Sequence, residues 1–219
     1  MSPLPYGMNL SFNVGDREDN VRANREAFFR EAAVDPARVA VPGQVHSAVV
    51  LRATQPGPHP RCDGLVTDER DLYLSVTVAD CVPLFIADPK RKAVAAIHSG
   101  WRGTAAGIAG VAVRLMASEF DSTPEDLVAF IGPAVSVCCY VVGEEVASLF
   151  DPRFVLPGSD GRKFLDMKGA IESQLTEAGL VAGNVEVSPH CTITDSRLFH
   201  SYRRDREKSG RMMGLIGLV

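Results

Sequence analysis

Residues 95–108, AAIHSGWRGTAAGI, combine backbone and side-chain groups that could bind an anion. The pattern predicts a strand that ends at His98, a glycine-containing loop, and a helix that begins near Thr104. Free N–H groups at a helix start bind anions, and glycines let a ligand approach the backbone closely. Arg102 adds a guanidinium fork that matches phosphate or carboxylate, although a solvated arginine in an ordinary strand–turn–helix connection is the alternative. The candidate phosphate- or substrate-binding residues here are Ser99, Gly100, Arg102 and Gly103, with Thr104 as a further hydroxyl donor.

One cysteine and two histidines stand at the edges of predicted strands and could hold a metal ion. Cys81 follows the strand in VTVADC, and His46 lies inside a β-like run, GQVHSAVV. Together with His98 they offer two nitrogens and one sulfur, a set that suits zinc with an open fourth position. Their separations along the chain match no short metal signature, so a core cysteine and two hydrogen-bonded histidines are the alternative.

The same residues admit a second chemistry, nucleophilic catalysis. A Cys81 thiolate with His98 as its base could attack a carbonyl or similar centre. Asp80 could then orient a histidine or carry a proton, and a carboxylate that only caps the turn is equally compatible with the sequence.

The remaining candidates are weaker. Cys138 and Cys139 are adjacent, and we expect that both thiols cannot easily share one metal or one strand face. His190 and Cys191 are close enough in sequence to share a metal ion, but packing is the favoured interpretation. Arg25, on a predicted helix, and the arginine-rich residues 201–211 are usually solvated, but could clamp phosphate if they were buried.

Composition excludes several classes of protein. The 219 residues carry 23 Lys+Arg against 27 Asp+Glu, a slight excess of negative charge. This balance argues against nucleic acid or an anionic membrane as a partner. Five cysteines, an odd number, argue against a disulfide framework. No secretory signal and no membrane-length apolar run are visible, which predicts a cytoplasmic protein. We expect one domain over residues 1–219, as a monomer or weak dimer.

The hydrophobic pattern predicts the elements that position these residues. Apolar residues alternate over 72–78, and two strand-like runs at 83–87 and 93–97 flank the turn DPKRK, which indicates a hairpin. Helical spacing of apolar residues follows at 108–116 and 166–178. The pattern also predicts helices at 15–33 and 143–150 and strands at 127–131, 185–187 and 214–219. Because helices and strands mix without strict alternation, we predict an α+β fold with mixed sheets packed by helices.

Several sequence blocks carry a family resemblance that spans nearly the whole chain, in order. They are GQVHS, CDGLVTDE, VTVADCVPLFIADP, AAIHSGWRGTAAGI, IGPAVSVCCYVVGEEV and FHSYRRD followed by GRMMGLIGL. These blocks resemble the laccase-domain, or YfiH-like, family. Its members were first described as multicopper polyphenol oxidases and later as zinc-bound purine nucleoside phosphorylases.

The resemblance implies a zinc ion on His46, Cys81 and His98 in a pocket that accepts a purine nucleoside and phosphate. It implies phosphorolysis of adenosine, inosine, guanosine and methylthioadenosine, together with adenosine deamination. Arg25 and Arg102 match family arginines with a role at the substrate or phosphate. Cys81, Asp80 and Arg102 are the expected catalytic residues, with Asp80 as a proton carrier.

Two other functions fit the resemblance less well. A copper-dependent, laccase-like phenol oxidase would accept the same ligands, but several copper sites need many histidines and the chain has five. A cysteine–histidine hydrolase in peptidoglycan editing is the other alternative. The sequence also departs from the family: Ser99 replaces an alanine, Val141 a glutamate and His200 an aromatic residue. It starts after an upstream strand that relatives carry, so we expect either a different start or a missing edge element.

Overall fold

The computed structural model describes residues 2–219, which form six helices and thirteen strands. The helices are α1 (Glu18–Glu31), α2 (Trp101–Ala105), α3 (Ile108–Phe120), α4 (Glu144–Ala147), α5 (Met167–Glu177) and α6 (Tyr202–Asp205). The strands are β1 (Val39–Pro42), β2 (Val50–Arg52), β3 (Gly57–His59), β4 (Gly64–Thr67), β5 (Tyr73–Val78), β6 (Val82–Asp88), β7 (Ala93–Ser99), β8 (Val128–Ile131), β9 (Val141–Val142), β10 (Val155–Pro157), β11 (Lys163–Leu165), β12 (Val185–Val187) and β13 (Met212–Gly217).

The strands form three sheets. A six-stranded sheet has the order β12-β8-β6-β7-β4-β2, a four-stranded sheet the order β13-β5-β1-β3, and a small antiparallel sheet the order β10-β11-β9. The two larger sheets mix directions: β1 runs parallel to β5, whereas β13 runs antiparallel to it. None of the described helices has the length and apolar character to span a membrane. The predicted α+β fold with mixed sheets is confirmed.

Alternating side chains stack these sheets into layers. In β7, Ala95 and Ile97 point into the core under α3 and α5, whereas Val94 and Ala96 point the other way. There they pack with Leu74 and its neighbours of the four-stranded sheet. Because successive side chains in a strand face opposite sides, one strand serves two cores, and all seven residues of β7 are buried.

Helix α1 covers the outer face of the four-stranded sheet. Its Phe29 packs with Leu10, with Val39 of β1 and with Met213 of β13 in a third apolar cluster. The order of layers is therefore α3 and α5, the six-stranded sheet, the four-stranded sheet, and α1.

The chain crosses between the two larger sheets at the places where chemistry was predicted. The loop at residues 43–49 leads from β1 in one sheet to β2 in the other. The tight connection at residues 79–81 leads from β5 to β6 across the same gap. His46 and Cys81 lie on these two crossings, and His98 lies near the end of β7.

Three local predictions were wrong. The helix predicted to begin near Thr104 begins at Trp101, so only Gly100 separates it from β7, and Gly103 lies inside α2. The helix predicted over 143–150 is limited to α4, and the chain turns before Pro152, which disfavours a helical conformation in the residue that precedes it. The β-like run around His46 is a loop, and His46 has a left-handed backbone with φ of 62°. The hairpin of β6 and β7 and helices α1, α3 and α5 are confirmed.

Candidate functional site

His46, Cys81 and His98 converge. One potential ligand atom from each of these three residues lies within 4.8 Å of the others. The two imidazole rings meet edge to face, with their centroids 5.0 Å apart. His98 is almost fully buried, Cys81 is partly buried and His46 is the most exposed of the three. Three donors that are remote in sequence thus meet at one point, open on one side.

A buried carboxylate, Asp63, organises both histidines. Its Oδ1 lies 2.8 Å from His98 Nδ1 and accepts a hydrogen bond from the His46 N–H. Its Oδ2 accepts from the N–H groups of Val45 and Ser47 and from the Ser47 hydroxyl. The left-handed conformation of His46 lets three successive N–H groups reach one carboxylate, so a single side chain sets the loop and the ring orientation.

The electrostatics of the group favour a thiolate. Burial alone would raise the pKa of the Cys81 thiol, but hydrogen bonds with His46 and His98 outweigh it and lower the pKa to about 6. For His98, burial favours the neutral ring, yet Asp63 and Cys81 raise its pKa to about 9. Asp63 itself is held at a pKa of about 2 because its hydrogen bonds outweigh burial. These shifts favour a Cys81 thiolate beside a His98 ring that is paired with the Asp63 carboxylate.

Gly100 and Gly103 act by leaving space. A Cβ atom on Gly100 would lie 2.9 Å from His46 Cδ2 and 3.2 Å from Cys81 Sγ. A Cβ atom on Gly103 would lie 2.7 Å from the backbone oxygen of Ser47. The contacts with His46 and Ser47 are too short for a real Cβ atom, so these glycines permit the close packing of Gly100 and helix α2 against the ligand-bearing segments.

A cavity of about 680 Å³ opens over the three donors. This volume lies within the range of small-molecule sites. Its walls come from the N-terminal segment, α1, the loop after β1, the end of β5 and the C-terminal region. The lining residues with polar or aromatic groups include His46, Cys81, His98, Phe12, Arg25, Gln44, Tyr202, Glu207 and Arg211.

Two arginines bring positive charge to this cavity. The Arg25 guanidinium donates to the Leu10 carbonyl oxygen at 2.9 Å and stacks on Phe12, 5.4 Å from its centroid. The Arg211 guanidinium donates to backbone carbonyls and lies 5.5 Å from the Tyr202 centroid. Burial lowers the pKa of both guanidinium groups. Within residues 2–219 neither makes a salt bridge with a carboxylate, so both remain available to an anionic ligand.

Asp80 lies beside the cavity as a link between loops. Its Oδ1 accepts from the Thr192 hydroxyl at 2.6 Å, and its Oδ2 accepts from the Arg203 N–H at 2.6 Å. Its backbone is left-handed, with φ of 82°. These contacts tie the crossing that carries Cys81 to the C-terminal region, and they engage both carboxylate oxygens.

Among the residues after β7 that were predicted to bind an anion, only the glycines lie against the three donors or their loop. The Ser99 hydroxyl is buried and hydrogen-bonded to Thr104 Oγ1 at 2.7 Å. Arg102 is exposed, and its guanidinium stacks on Trp101 at 4.0 Å from the ring centroid. Arg102 and Arg203 both lower the pKa of the Tyr140 phenol, although burial, the larger effect, raises that pKa to about 12. Arg102, unlike Arg25, does not line the cavity.

Sequence reasoning did not single out Asp63, Gln44 or Glu207, and it named Arg211 only within an arginine-rich run. Gln44 pairs with β5 through three hydrogen bonds to Thr77, which closes the cavity wall. Asp63 had one available signal, its place in CDGLVTDE, but a lone aspartate in a sequence block does not reveal how many N–H groups it receives.

The chain is similar to known proteins over its whole length. The family model described as multi-copper polyphenol oxidoreductase laccase matches residues 1–219. The chain is 40% identical to a purine nucleoside phosphorylase of Streptomyces coelicolor, over all of this chain and 91% of that protein. It is 36% identical to the purine nucleoside phosphorylase YlmD of Geobacillus stearothermophilus, over 96% of this chain and 83% of that protein.

Solved structures have the same fold. The crystal structure of YlmD from Geobacillus stearothermophilus has a TM-score of 0.94 at 35% identity, and the match covers 99% of this chain and 87% of that one. The hypothetical protein YfiH of Bacillus licheniformis has a TM-score of 0.93 at 34% identity, and the match covers 100% and 88%. The chain therefore belongs to the laccase-like, YfiH-like family.

Proposed function

We propose that this protein is a zinc-dependent purine nucleoside phosphorylase. The observation that carries the proposal is one cavity that joins a donor set of two histidines and one cysteine to two arginines without a carboxylate partner among the described residues. The curated relatives named purine nucleoside phosphorylase support the reaction class.

The residues fit a zinc ion. His98 gives its Nδ1 to Asp63, which leaves Nε2 for a metal, an arrangement in which a carboxylate orients a metal-bound histidine. A thiolate at Cys81 and a third ligand at His46 complete a set that leaves one coordination position open. When bound, zinc would act as a Lewis acid on an oxygen of phosphate or substrate.

Phosphorolysis requires a bound phosphate and a stabilised transition state. A phosphate oxygen bonds to the ribose C1′ while the bond from C1′ to the purine nitrogen breaks, and the purine leaves with a proton. Arg25 and Arg211 hold the phosphate through charge-assisted hydrogen bonds that are strong in a partly dry cavity. Phe12 and Tyr202, which line the cavity beside these arginines, offer aromatic faces for the purine ring. Arg102, which lies outside the cavity lining, is the sequence-based candidate for a further contact with phosphate or product.

The direct test is product formation from inosine and phosphate. We expect hypoxanthine and ribose 1-phosphate in equal amounts, with no hypoxanthine when phosphate is left out. Chromatography of the purine and an enzymatic assay of the sugar phosphate measure both. Absence of both products from zinc-loaded protein, tested also with adenosine, guanosine and methylthioadenosine, refutes the proposal.

Arg25 provides a sharper test on the phosphate site. Arg25→Ala removes a half-buried cation from the cavity, so we expect the KM for phosphate to rise about tenfold or more. Arg30→Ala is the matched control, because Arg30 lies exposed on the same helix and does not line the cavity. Equal kinetics of the two variants would remove Arg25 from the phosphate site.

Adenosine deamination is a second proposed activity of the same site. Sets of histidine and cysteine ligands on zinc also serve nucleobase deaminases. Water would replace the amino group at C6 of the purine, with release of ammonia. Asp80 is the sequence-based candidate for moving the proton, and Glu207 is the one carboxylate among the described residues that line the cavity. Ammonia release from adenosine without phosphate tests this activity, and Glu207→Gln and Asp80→Asn test the two carboxylates.

Metal analysis separates the proposal from its rivals. Mass spectrometry of the purified protein should find zinc, whereas copper together with phenol oxidation would favour the oxidase. Cys81→Ala should lose metal and turnover together. Full metal content with loss of turnover would instead favour a nucleophilic cysteine.

A further inference from the structure

A second group of potential ligands lies outside the cavity. The sulfur atoms of Cys138, Cys139 and Cys191 all lie within 4.8 Å of one another, and those of Cys138 and Cys139 are 3.3 Å apart. All three cysteines are free thiols. Cys138 is exposed, Cys139 is intermediate and Cys191 is buried, so the group extends from the surface inward.

The local backbone explains why two adjacent cysteines point to the same side, contrary to the sequence-based expectation. Cys138 and Cys139 lie in a tight turn, where the N–H groups of Cys139 and Tyr140 both donate to the Ser136 carbonyl oxygen. Strand alternation does not apply in such a turn. A bridge between Ala134 and Cys191 then brings the third sulfur alongside.

The buried sulfur of Cys191 lies in a setting suited to a thiolate. The Ser136 N–H donates to Cys191 Sγ at 3.4 Å. Burial would raise the pKa of Cys191, but backbone hydrogen bonds from Ser136, Thr194 and Ile193 lower it to about 6. N–H groups directed at a sulfur stabilise its negative charge in the same way in metal–thiolate sites.

A buried lysine holds the loop that carries Cys191. Lys168 is buried, and its ammonium donates to the Ser188 carbonyl oxygen at 2.8 Å and to that of His190 at 2.7 Å. Burial lowers the pKa of this ammonium, whereas Cys191, Asp166, Cys138 and Asp195 favour its charged form. A divalent cation on three thiolates would carry one net negative charge, which a protonated Lys168 would offset in part.

We propose that Cys138, Cys139 and Cys191 form a second metal site that binds a thiophilic d¹⁰ cation of the zinc type. Bonds of about 2.3 Å at tetrahedral angles separate two sulfurs by roughly 3.8 Å. That value lies between the 3.3 Å of the adjacent pair and the 4.8 Å limit of the whole group. The exposed side of Cys138 leaves a fourth position to water or another ligand.

The site would fasten two loops behind the reaction cavity. One loop carries the adjacent cysteines, and the other continues from Cys191 to Thr192, whose hydroxyl donates to Asp80. The Val135 N–H donates to the Asp80 carbonyl oxygen at 3.0 Å. Both loops are therefore hydrogen-bonded to Asp80, in the connection that carries Cys81. This metal site does not depend on the phosphorylase reaction.

The experiment is a titration of the reduced, metal-free full chain with Cd²⁺ in the absence of oxygen. The ultraviolet charge-transfer band of cadmium grows with the number of bound thiolates. We expect two equivalents and four thiolates in the unsubstituted protein. Cys81→Ser should keep one equivalent and about three quarters of the band, and Cys138→Ser/Cys191→Ser should keep one equivalent and about one quarter.

Cys62→Ser is the matched control, because Cys62 is a free, buried cysteine outside both groups, and it should titrate like the unsubstituted protein. A band of one or two thiolates in the unsubstituted protein overturns the proposal, and this reading needs no variant to fold. Two equivalents retained by folded Cys138→Ser/Cys191→Ser also overturn it. Zn²⁺ should raise the Tm of Cys81→Ser but not that of the triple variant Cys81→Ser/Cys138→Ser/Cys191→Ser, because a cation that binds the native state stabilises it.

Discussion

The two sulfur-containing groups of this protein differ in what surrounds them. His46, Cys81 and His98 come from three remote segments, are oriented by the buried Asp63, and open into a cavity with two arginines. Cys138, Cys139 and Cys191 lie on a turn and a loop near the surface, outside that cavity.

The difference teaches that donor atoms alone do not define a reaction centre. Both groups offer three potential ligands within 4.8 Å. Only the first combines them with space for a small molecule and with cations that lack a carboxylate partner among the described residues. A reaction on a small substrate needs the metal ligands, the cavity and the positively charged side chains together. A cation that only cross-links two loops needs the ligands alone.

The largest expected effect distinguishes the two groups directly. Cys81→Ala should lower phosphorolysis at least about 100-fold, because removing a ligand is more severe than removing the residue that orients one. Cys138→Ala should keep activity within about twofold, because Cys138 does not line the cavity and surface changes are usually mild. Steady-state rates with inosine and phosphate measure both. Equal losses in the two variants would break the comparison.

Asp63→Asn tests the residue that orients the first group. The amide keeps the size of the side chain but not its charge, and it cannot accept at both ends as the carboxylate does. We expect zinc affinity to fall about 10- to 100-fold, as for other residues that orient metal ligands. Competition with a chelator gives the affinity. Asp68→Asn is the control, since Asp68 forms a partly exposed salt bridge with Arg52. The zinc affinity of this variant should not change.

Gly100→Ala tests the close packing around the same group. The new methyl group would press on His46 and Cys81, and overpacking of this kind costs about 1–3 kcal/mol. We expect zinc affinity to fall by about tenfold or more, with the fold retained. Gly183→Ala is the control, because a Cβ atom at that position would have no other atom within 4 Å. Unchanged zinc affinity in Gly100→Ala would show that the backbone between β7 and α2 can move to accommodate the methyl group.

Cys62→Ala should have the smallest effect. Cys62 is fully buried in the core between the two large sheets, and its thiol donates to the His59 carbonyl oxygen at 3.1 Å. We expect a loss of about 1 kcal/mol in the free energy of unfolding with no change in bound metal. Denaturant unfolding and metal analysis check the two parts. Loss of metal in this variant would mean that Cys62 also contributes to metal binding.

Much of the fold could be predicted because its strongest patterns are local. The alternation in β5, the turn between β6 and β7, and the helical spacing in α3 each need only neighbouring residues. The conformation around His46 could not be predicted, because it depends on Asp63, a residue remote in sequence whose carboxylate collects the N–H groups of that loop.

The candidate site was predictable in its ligands but not in its walls. Residue type and position at strand edges indicated His46, Cys81 and His98, and the family resemblance pointed to the same three. Arg211 joins Arg25 at the cavity only because β13 pairs with β5 and returns the C-terminal segment to it. The engagement of Asp80 with Thr192 and Arg203 likewise arises from contacts over more than a hundred residues.

The sequence by itself determined the α+β class, the main hairpin and the family, and it indicated the three potential donors of the first group. Only the tertiary structure decided that Asp63 orients these donors, that Arg25 and Arg211 share their cavity, and that Cys138, Cys139 and Cys191 meet. The physical reason is that strand alternation, helical spacing and side-chain chemistry depend only on residues that are close in sequence. Convergence depends on the two sheets stacking and on the chain crossing between them at residues 43–49 and 79–81.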